Sequence, residues 1–254
     1  MSAPLAALGL FGDAIDVIFH AREGRAGGAQ VGGLSDFGAM AWTHLKVVLA
    51  SVGLASLIAL PLGLVLGHLR RGGLLAVTVS NVGRAVPSLA LIAVFIAFLG
   101  VGFGNVTLAL ALLAIPPILT NTYVGVTQVD RDVIDAAKGQ GLTGAQIVRE
   151  IELPLALPLI FGGLRTSVVN VIATATIAPV AGVVTLGDPI FSQAVYGDAG
   201  KLAAAIVVAL MAIVAEVGLG AAQRAVTPRP LRGTPGITRR ARFLPTLRKG
   251  AATS

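Results

Sequence analysis

Cysteine is absent from all 254 residues, so neither a disulfide framework nor a thiolate metal site can be built from this chain. Charge is scarce. Only 12% of residues are charged and 55% are apolar, with a mean hydropathy of +0.87, whereas a soluble domain carries about 25% charged residues. Water is therefore not the main solvent. Aromatics are few: Trp42, Tyr123 and Tyr196 are the only indole and phenol rings, too scattered to form the cage that recognises a quaternary ammonium. His20, His44 and His68 lie too far apart to pair on one helical turn as metal ligands. No G-x-x-x-x-G-K-[ST], H-E-x-x-H or G-x-S-x-G motif occurs, which argues against nucleotide hydrolysis, zinc-protease and serine-hydrolase chemistry in this chain. A net charge of +7 could point to nucleic acid. The basic residues, however, lie between and after apolar runs instead of lining one soluble face, and a membrane reading with no nucleic-acid partner explains them better.

What is present is a series of apolar stretches near the length of about 20 residues that a helix needs to cross a bilayer. The pattern predicts an all-α membrane protein of about five spans. The first runs from Trp42 to Gly67, with Trp42, His44 and Lys46 as anchors at one end and His68, Arg70 and Arg71 at the other. A second runs from Val86 to Leu99 and extends back through Leu74 to Val82, with a break expected at Pro87. The third, Val106 to Val124, holds Pro116-Pro117, which should disrupt its hydrogen bonding unless neighbours meet the freed carbonyls. The fourth and fifth run from Leu155 to Val184 and from Leu202 to Ala222. Residues 1–39 read as an external or interfacial segment whose apolar start, Met1 to Gly12, is too short to span and has no basic, cleavable signal pattern, and in which Ala21 to Gly33 reads as a flexible glycine-rich stretch. Residues 40–226 form the membrane domain. Residues 227–254, basic and without acidic groups, read as a disordered tail that touches anionic lipid.

Lys and Arg concentrate in alternate loops: Arg70 and Arg71, then Arg131, Lys138 and Arg149, then eight in the stretch from Arg224 to Lys249. Because cytoplasmic loops hold the positive excess, five spans with the N-terminus outside and the C-terminus cytoplasmic satisfy every loop.

Segment 128–154 carries most of the functional signal. Asp132 is placed to cap a short helix through Ala137, the small Ala136 and Ala137 permit close approach of another protein, and Gly139 and Gly141 end the helix. Thr143 and Gln146 form a capping-box pattern for a second helix, which Leu153-Pro154 should end. The spacing Asp135-Ala136-Ala137, three residues, Gly141, nine residues, Ile151, one residue, Leu153-Pro154 resembles the EAA signature of permease subunits of binding-protein-dependent ABC importers, with Asp135 where that family usually has Glu. Val86-Pro87-Ser88-Leu89-Ala90, Pro116-Pro117-Ile118-Leu119 with Asn121-Thr122-Tyr123, the run Glu152 to Ile160, and Gly163 to Thr166 resemble permeases for osmoprotectants such as glycine betaine, carnitine, choline and proline. The segment Gly182 to Gly187 departs from the glycine-rich run of those relatives.

The resemblance implies a type-1 importer permease fold in the bacterial cytoplasmic membrane and no cofactor in this chain. It further implies ATP bound and hydrolysed by separate ATPase subunits, a second permease subunit, and an extracytoplasmic binding protein. By the same resemblance Asp135, Ala136, Ala137, Gly141, Ile151, Leu153 and Pro154 form the ATPase-docking loop. A same-architecture permease for an amino acid or sulfonate is an alternative. An ion-coupled secondary transporter is disfavoured, because neither an internal repeat nor a pair of intramembrane carboxylates is visible.

Four residues inside spans are candidates for the solute path. Asn170 and Thr174 share one helical face, with Thr176 close by; they either line a polar path or bond between helices. Glu216 is an acidic group within a span, which marks function by default, although pairing with Arg224 is the simpler alternative. Arg165 reads as an interfacial anchor or a partner of Glu150 and Glu152.

Overall fold

The computed structural model describes residues 3–28, 30–74, 78, 83 and 85–227. Among them four helices are long and apolar enough to cross a membrane, Gly33–His68, Phe103–Thr127, the stretch Gly144–Ala181 and Gln193–Val226. We name the elements in chain order: α1 (Ala3–Phe19), β1 (Ala21–Glu23), β2 (Gln30–Gly32), α2 (Gly33–His68), α3 (Ser88–Leu99) and α4 (Phe103–Thr127). They continue as α5 (Arg131–Gly139), α6 (Gly144–Ile147), α7 (Leu153–Thr174), α8 (Asp188–Phe191) and α9 (Gln193–Val226).

The expected break at Pro87 is present. Pro87 is extended (φ −67°, ψ 120°) and caps α3, which at 12 residues rises only about 18 Å. The rest of the expected second span, including Asn81 and Arg84, falls largely outside the described residues, as does the basic tail from position 228 on. Helix α4 runs unbroken through Pro116 and Pro117, both buried. The prolines free the carbonyls of Leu112 and Leu113, whereas Ser167 of α7 donates to the next one along, that of Ala114, at 2.9 Å and ties the two helices together beside the prolines.

The bundle is assembled on a stripe of small residues that repeats every four positions along α2: Ser51, Ala55, Ala59, Gly63 and Gly67, all buried. This is the small-xxx-small pattern that lets membrane helices approach closely, where dispersion and not hydrophobic transfer drives association. Its partner face on α4 includes Ala114, Ile118, Thr122 and Val126. A methyl added at Gly63 would lie 2.6 Å from Thr122 Cβ, and one at Gly67 2.6 Å from Val126 Cβ. Helices α2 and α4 are therefore parallel and in near-contact, while α7 packs antiparallel on α4, with Gly163 against Asn121 and Gly125 against Ala156.

Two expectations about the outer segments change. Residues 21–33 are not a flexible glycine stretch: β1 and β2 pair antiparallel, Arg22 opposite Val31, and Gly27 and Gly28, both with positive φ, make the turn. His44 is not an interfacial anchor. It is wholly buried, and its Nε2 hydrogen-bonds the Ile172 carbonyl at 2.9 Å, tying α2 to the end of α7. The fourth span ends as an α-helix at Thr174 and continues as a 3₁₀ turn, Ala175–Ala181. The segment after it is packed: Thr185, fully buried, donates to the Ala175 carbonyl at 3.1 Å and accepts from the Gly187 N–H at 3.3 Å.

Candidate coupling loop and solute path

The loop between α4 and α7 folds around its own small core. Asp130, not Asp132, caps α5, accepting from the Asp132 N–H at 3.0 Å. The cap lies two residues earlier than expected, because the extended backbone at Asp130 (φ −58°, ψ 135°) puts that residue just outside the helix and Asp132 already inside it. Helix α5 ends in a Schellman motif: Leu142 N–H reaches the Ala137 carbonyl at 3.1 Å and Gly141 N–H the Lys138 carbonyl at 2.9 Å. Gly141 sits at φ +84°, where a side chain is strained. Thr143 and Gln146 form the full capping box at the start of α6. Val129, Ile134, Ala137 and Ile147 are buried together, with Leu142 and Ile151 packed against them.

Three of the expected docking residues, Ala137, Leu153 and Pro154, take different places. Ala136 is exposed, but Ala137 is 4% exposed and belongs to the loop core, so it cannot meet another protein directly. Leu153-Pro154 do not end α6. The chain passes through a π-turn, Val148–Glu152, straight into α7, with Pro154 in its first turn. A wide turn suits the missing Pro154 N–H and the ring that would crowd the carbonyl four residues back. Leu153 packs beside Val126 and Ala156. Asp135 is exposed and 3.3 Å from Lys138.

The loop is fastened to the end of α2 by His68 and Arg70, which are expected from sequence to be interfacial anchors. His68 Nδ1–H donates to Glu152 Oε2 at 2.8 Å, and Glu152 is 3% exposed. The other ring nitrogen of His68 faces Gly144, where a methyl would lie 3.2 Å away. Arg70, with φ +49°, donates to the Val129 carbonyl at 2.8 Å. Arg70, Arg131, Ile134, Asp135 and Lys138 surround a hollow of about 260 Å³ on the same face. The usable signal was a polar cluster at the end of one span and a carboxylate just before another.

A cavity of about 420 Å³ opens between the start of α3, α4 and α7. Asn170 and Thr174 line it together with Ser88, Pro116, Pro117 and Thr166. Thr166 and Thr174 donate to the Gly162 and Asn170 carbonyls of their own helix, which leaves hydroxyl lone pairs for a solute. Among the described residues no aromatic ring or ionisable side chain lines this space. Thr176 does not: it lies in the 3₁₀ turn and donates to the Ala173 carbonyl at 2.7 Å.

Glu216 is also elsewhere. Its partner is neither Arg224 nor water alone but Arg165, Nε to Oε1 3.0 Å, and both are partly exposed. Arg165 thus contacts neither Glu150 nor Glu152. Gln223 joins the pair, accepting from Arg165 at 3.5 Å and donating to the Pro158 carbonyl at 2.8 Å. This is a polar seam between α7 and α9.

Comparison with known proteins places this architecture. The chain is 37% identical over 191 residues to the glycine betaine/carnitine/choline transport system permease protein OpuCB of Bacillus subtilis, covering 75% of this chain and 88% of that one. It is 39% identical over 188 residues to the choline transport system permease protein OpuBB of Bacillus subtilis, covering 74% and 87%. The osmoprotectant import permease protein OsmY of Salmonella typhimurium is 32% identical over 188 residues, covering 73% of this chain and 80% of that one. The fold resembles a chain of the MetNI methionine ABC transporter in an inward-facing form, with a TM-score of 0.66, 21% identity, and coverage of 76% of this chain and 96% of that one. Residues 59–232 match the family described as "Binding-protein-dependent transport system inner membrane component", and this multi-pass membrane chain belongs to that family.

Proposed function

We propose that this chain is the pore-forming permease subunit of an ATP-driven importer for glycine betaine, carnitine, choline or related osmoprotectants in the bacterial cytoplasmic membrane. The observation that carries the proposal is the folded loop at 128–154. A connection between two spans has no need of a core, a capping box and two fastenings to a third helix, whereas a lever that transmits force needs all of them. In this reading the exposed ridge of α5, with Asp132, Asp135 and Ala136, seats on a separate ATPase subunit that binds and hydrolyses ATP. Glu152 and Arg70 pass its displacement to α7 and α2. The concentration of Arg and Lys at this end supports placing it in the cytoplasm and the β-hairpin end outside.

Asn170, Thr174, Thr166 and Ser88 would form half of the path, completed by a second permease subunit. A quaternary ammonium cannot donate a hydrogen bond, and among the described residues this lining offers it neutral hydroxyl and amide groups and the apolar Val86, Leu113, Pro116 and Pro117, with no carboxylate and no aromatic face. Binding in the path is thus weak, as a conduit requires, and selection falls to an extracytoplasmic binding protein.

The test is reconstitution with the candidate ATPase and binding protein, wild type against Ala136→Arg, whose added side chain points into solvent and leaves the loop core intact. Copurification of the ATPase and ATP-dependent uptake of labelled glycine betaine or choline should both be lost in the variant. Uptake that persists after ATP depletion but collapses with the ion gradient would sink the reading in favour of a secondary transporter.

A further inference from the structure

Helix α1 lies outside the stretch 59–232 that defines the family, and three different faces run along it. Ala14 and Val17 are fully buried, in one cluster with Phe37 and Met40 of α2 and Ala199 and Ala203 of α9. Asp13, Asp16 and His20 form a second, exposed polar row in which His20 pairs with Asp16 at 2.8 Å. The third face is Leu8, Phe11, Ile15 and Phe19, exposed by 69%, 50%, 52% and 55%. At 3.6 residues per turn these four fall within an arc of about 80°, and no polar residue interrupts it.

We infer that this third face is inserted into the lipid of the leaflet at the hairpin end, so that α1 is a membrane-surface anchor that holds the hairpin in place. Three observations select lipid as the occupant. The first is level: Phe37 and Met40, against which α1 packs, precede the exposed Trp42 by two to five residues, about 3 to 8 Å along the axis. Tryptophan marks the headgroup boundary of a spanning helix. The second is segregation, since a wholly apolar arc beside a separate acidic one is the pattern of an interfacial helix, whereas a protein interface mixes the two. The third is permanence: a binding protein that arrives and leaves would return four large apolar side chains to water in every cycle.

The anchor has something to hold. At Gly197 the backbone of α9 leaves the helix (φ 67°, ψ −173°). The hairpin meets the carbonyls at this break, Arg25 N–H donating to Val195 at 3.0 Å and Arg22 Nη2 to Tyr196 at 3.3 Å. The Arg25 side chain lies over Gly197, where a methyl would be 2.7 Å from its Cδ.

Trp42 is the only tryptophan, so Phe11→Trp or Phe19→Trp in a Trp42→Phe background gives a single emitter. In lipid vesicles holding the full chain and no other protein, bromine-substituted acyl chains should quench either tryptophan several-fold more than aqueous acrylamide does, and Asp16→Trp should show the reverse order. Quenching of position 11 by acrylamide alone would place the face in water. Insensitivity to both quenchers would place it under protein, and either result overturns the inference. If the tryptophan background does not fold, the cysteine-free chain allows Phe11→Cys and Asp16→Cys singly in otherwise unaltered protein. A water-soluble maleimide should label position 11 several-fold more slowly, and equal rates in bilayers and after detergent extraction would overturn the inference. Neither readout depends on ATP coupling.

Discussion

Two helix seams in this bundle are built on opposite terms. Along α2 and α4 the contact is close and made by small residues, and 56% of the most apolar stretch of α4 is buried. Along α7 and α9 apolar side chains such as Leu164 and Met211 are joined by polar contacts, and only 11% of the most apolar stretch of α9 is buried. An apolar groove of about 580 Å³, lined by Val52, Ser56, Leu164, Val168, Met211 and Val214 among others, remains open between α2, α7 and α9. Helix α9 is held near its ends instead: by the hairpin and the Tyr196 hydroxyl on Asp36 (3.4 Å) at one, and by Arg165, Glu216 and Gln223 at the other. Close packing fixes α2 and α4 as one body, whereas α9 buries less of its length and adds directional polar contacts near its two ends.

The largest expected effect comes from breaking the small-residue seam. Gly63→Leu or Gly67→Leu must push Thr122 or Val126 aside, since even one methyl lies 2.6 Å from each. Overpacking of this kind costs about 3 kcal/mol or more, and thermal denaturation in detergent should show a marked loss of stability with little protein reaching the membrane. Gly218→Leu on α9, where nothing lies within 4 Å, should be close to neutral. Equal destabilisation at positions 63 and 218 would erase the contrast between the seams.

A smaller effect is expected at the polar seam. Both partners of the Arg165–Glu216 pair are more than a third exposed, so solvent and lipid headgroups share the charge and the pair is worth about 1 kcal/mol or less. A double-mutant cycle with Arg165→Leu, Glu216→Leu and both together should give a coupling of that size, with the double variant at least as stable as Glu216→Leu. A coupling several times larger would make α9 as firmly bound as α4. The functional signature is separate: in the assembly proposed above, substrate-stimulated ATP hydrolysis should change more than stability, because the pair joins the helix that follows the candidate coupling loop to α9.

How far each seam could be read in advance follows from what sets it. Local rules made much of the loop legible, since the Thr143–Gln146 box and the Gly141 turn depend on residues within a few positions, and the break at Pro87 depends on one ring. The face shared by Asn170 and Thr174 follows from helical spacing alone. Contacts distant in sequence were not legible: His68 reaches a partner 84 positions away, and Glu216 has a nearer basic residue, Arg224, which sequence proximity favoured. The stripe from Ser51 to Gly67 was present at regular fours, yet inside an apolar span small residues carry no hydropathy signal of their own. The β-hairpin was hidden by composition, because glycines at 27 and 28 suit a tight turn as well as a flexible linker.

The smallest expected effect concerns the outer end, where α9 does approach α2. Asp188 lies in the connection that leads into α9, and burial, reinforced by the nearby Asp36 carboxylate, raises its pKa above the ordinary value of 3.8. An acid whose folded-state pKa is raised holds its proton more tightly in the folded protein than in the unfolded chain. Between the ordinary value and the raised one the folded state binds more protons, so stability falls as pH rises through that window and stays lower above it. Asp188→Asn removes the titration and should leave the protein slightly more stable at neutral pH, with a flatter melting-temperature profile on the acid side. If wild type instead gained stability as pH rose through this range, relative to the variant, the Asp188 carboxylate would be favoured in the folded state. The meeting of α8 with α2 would then be an attractive contact and not a point of mild repulsion.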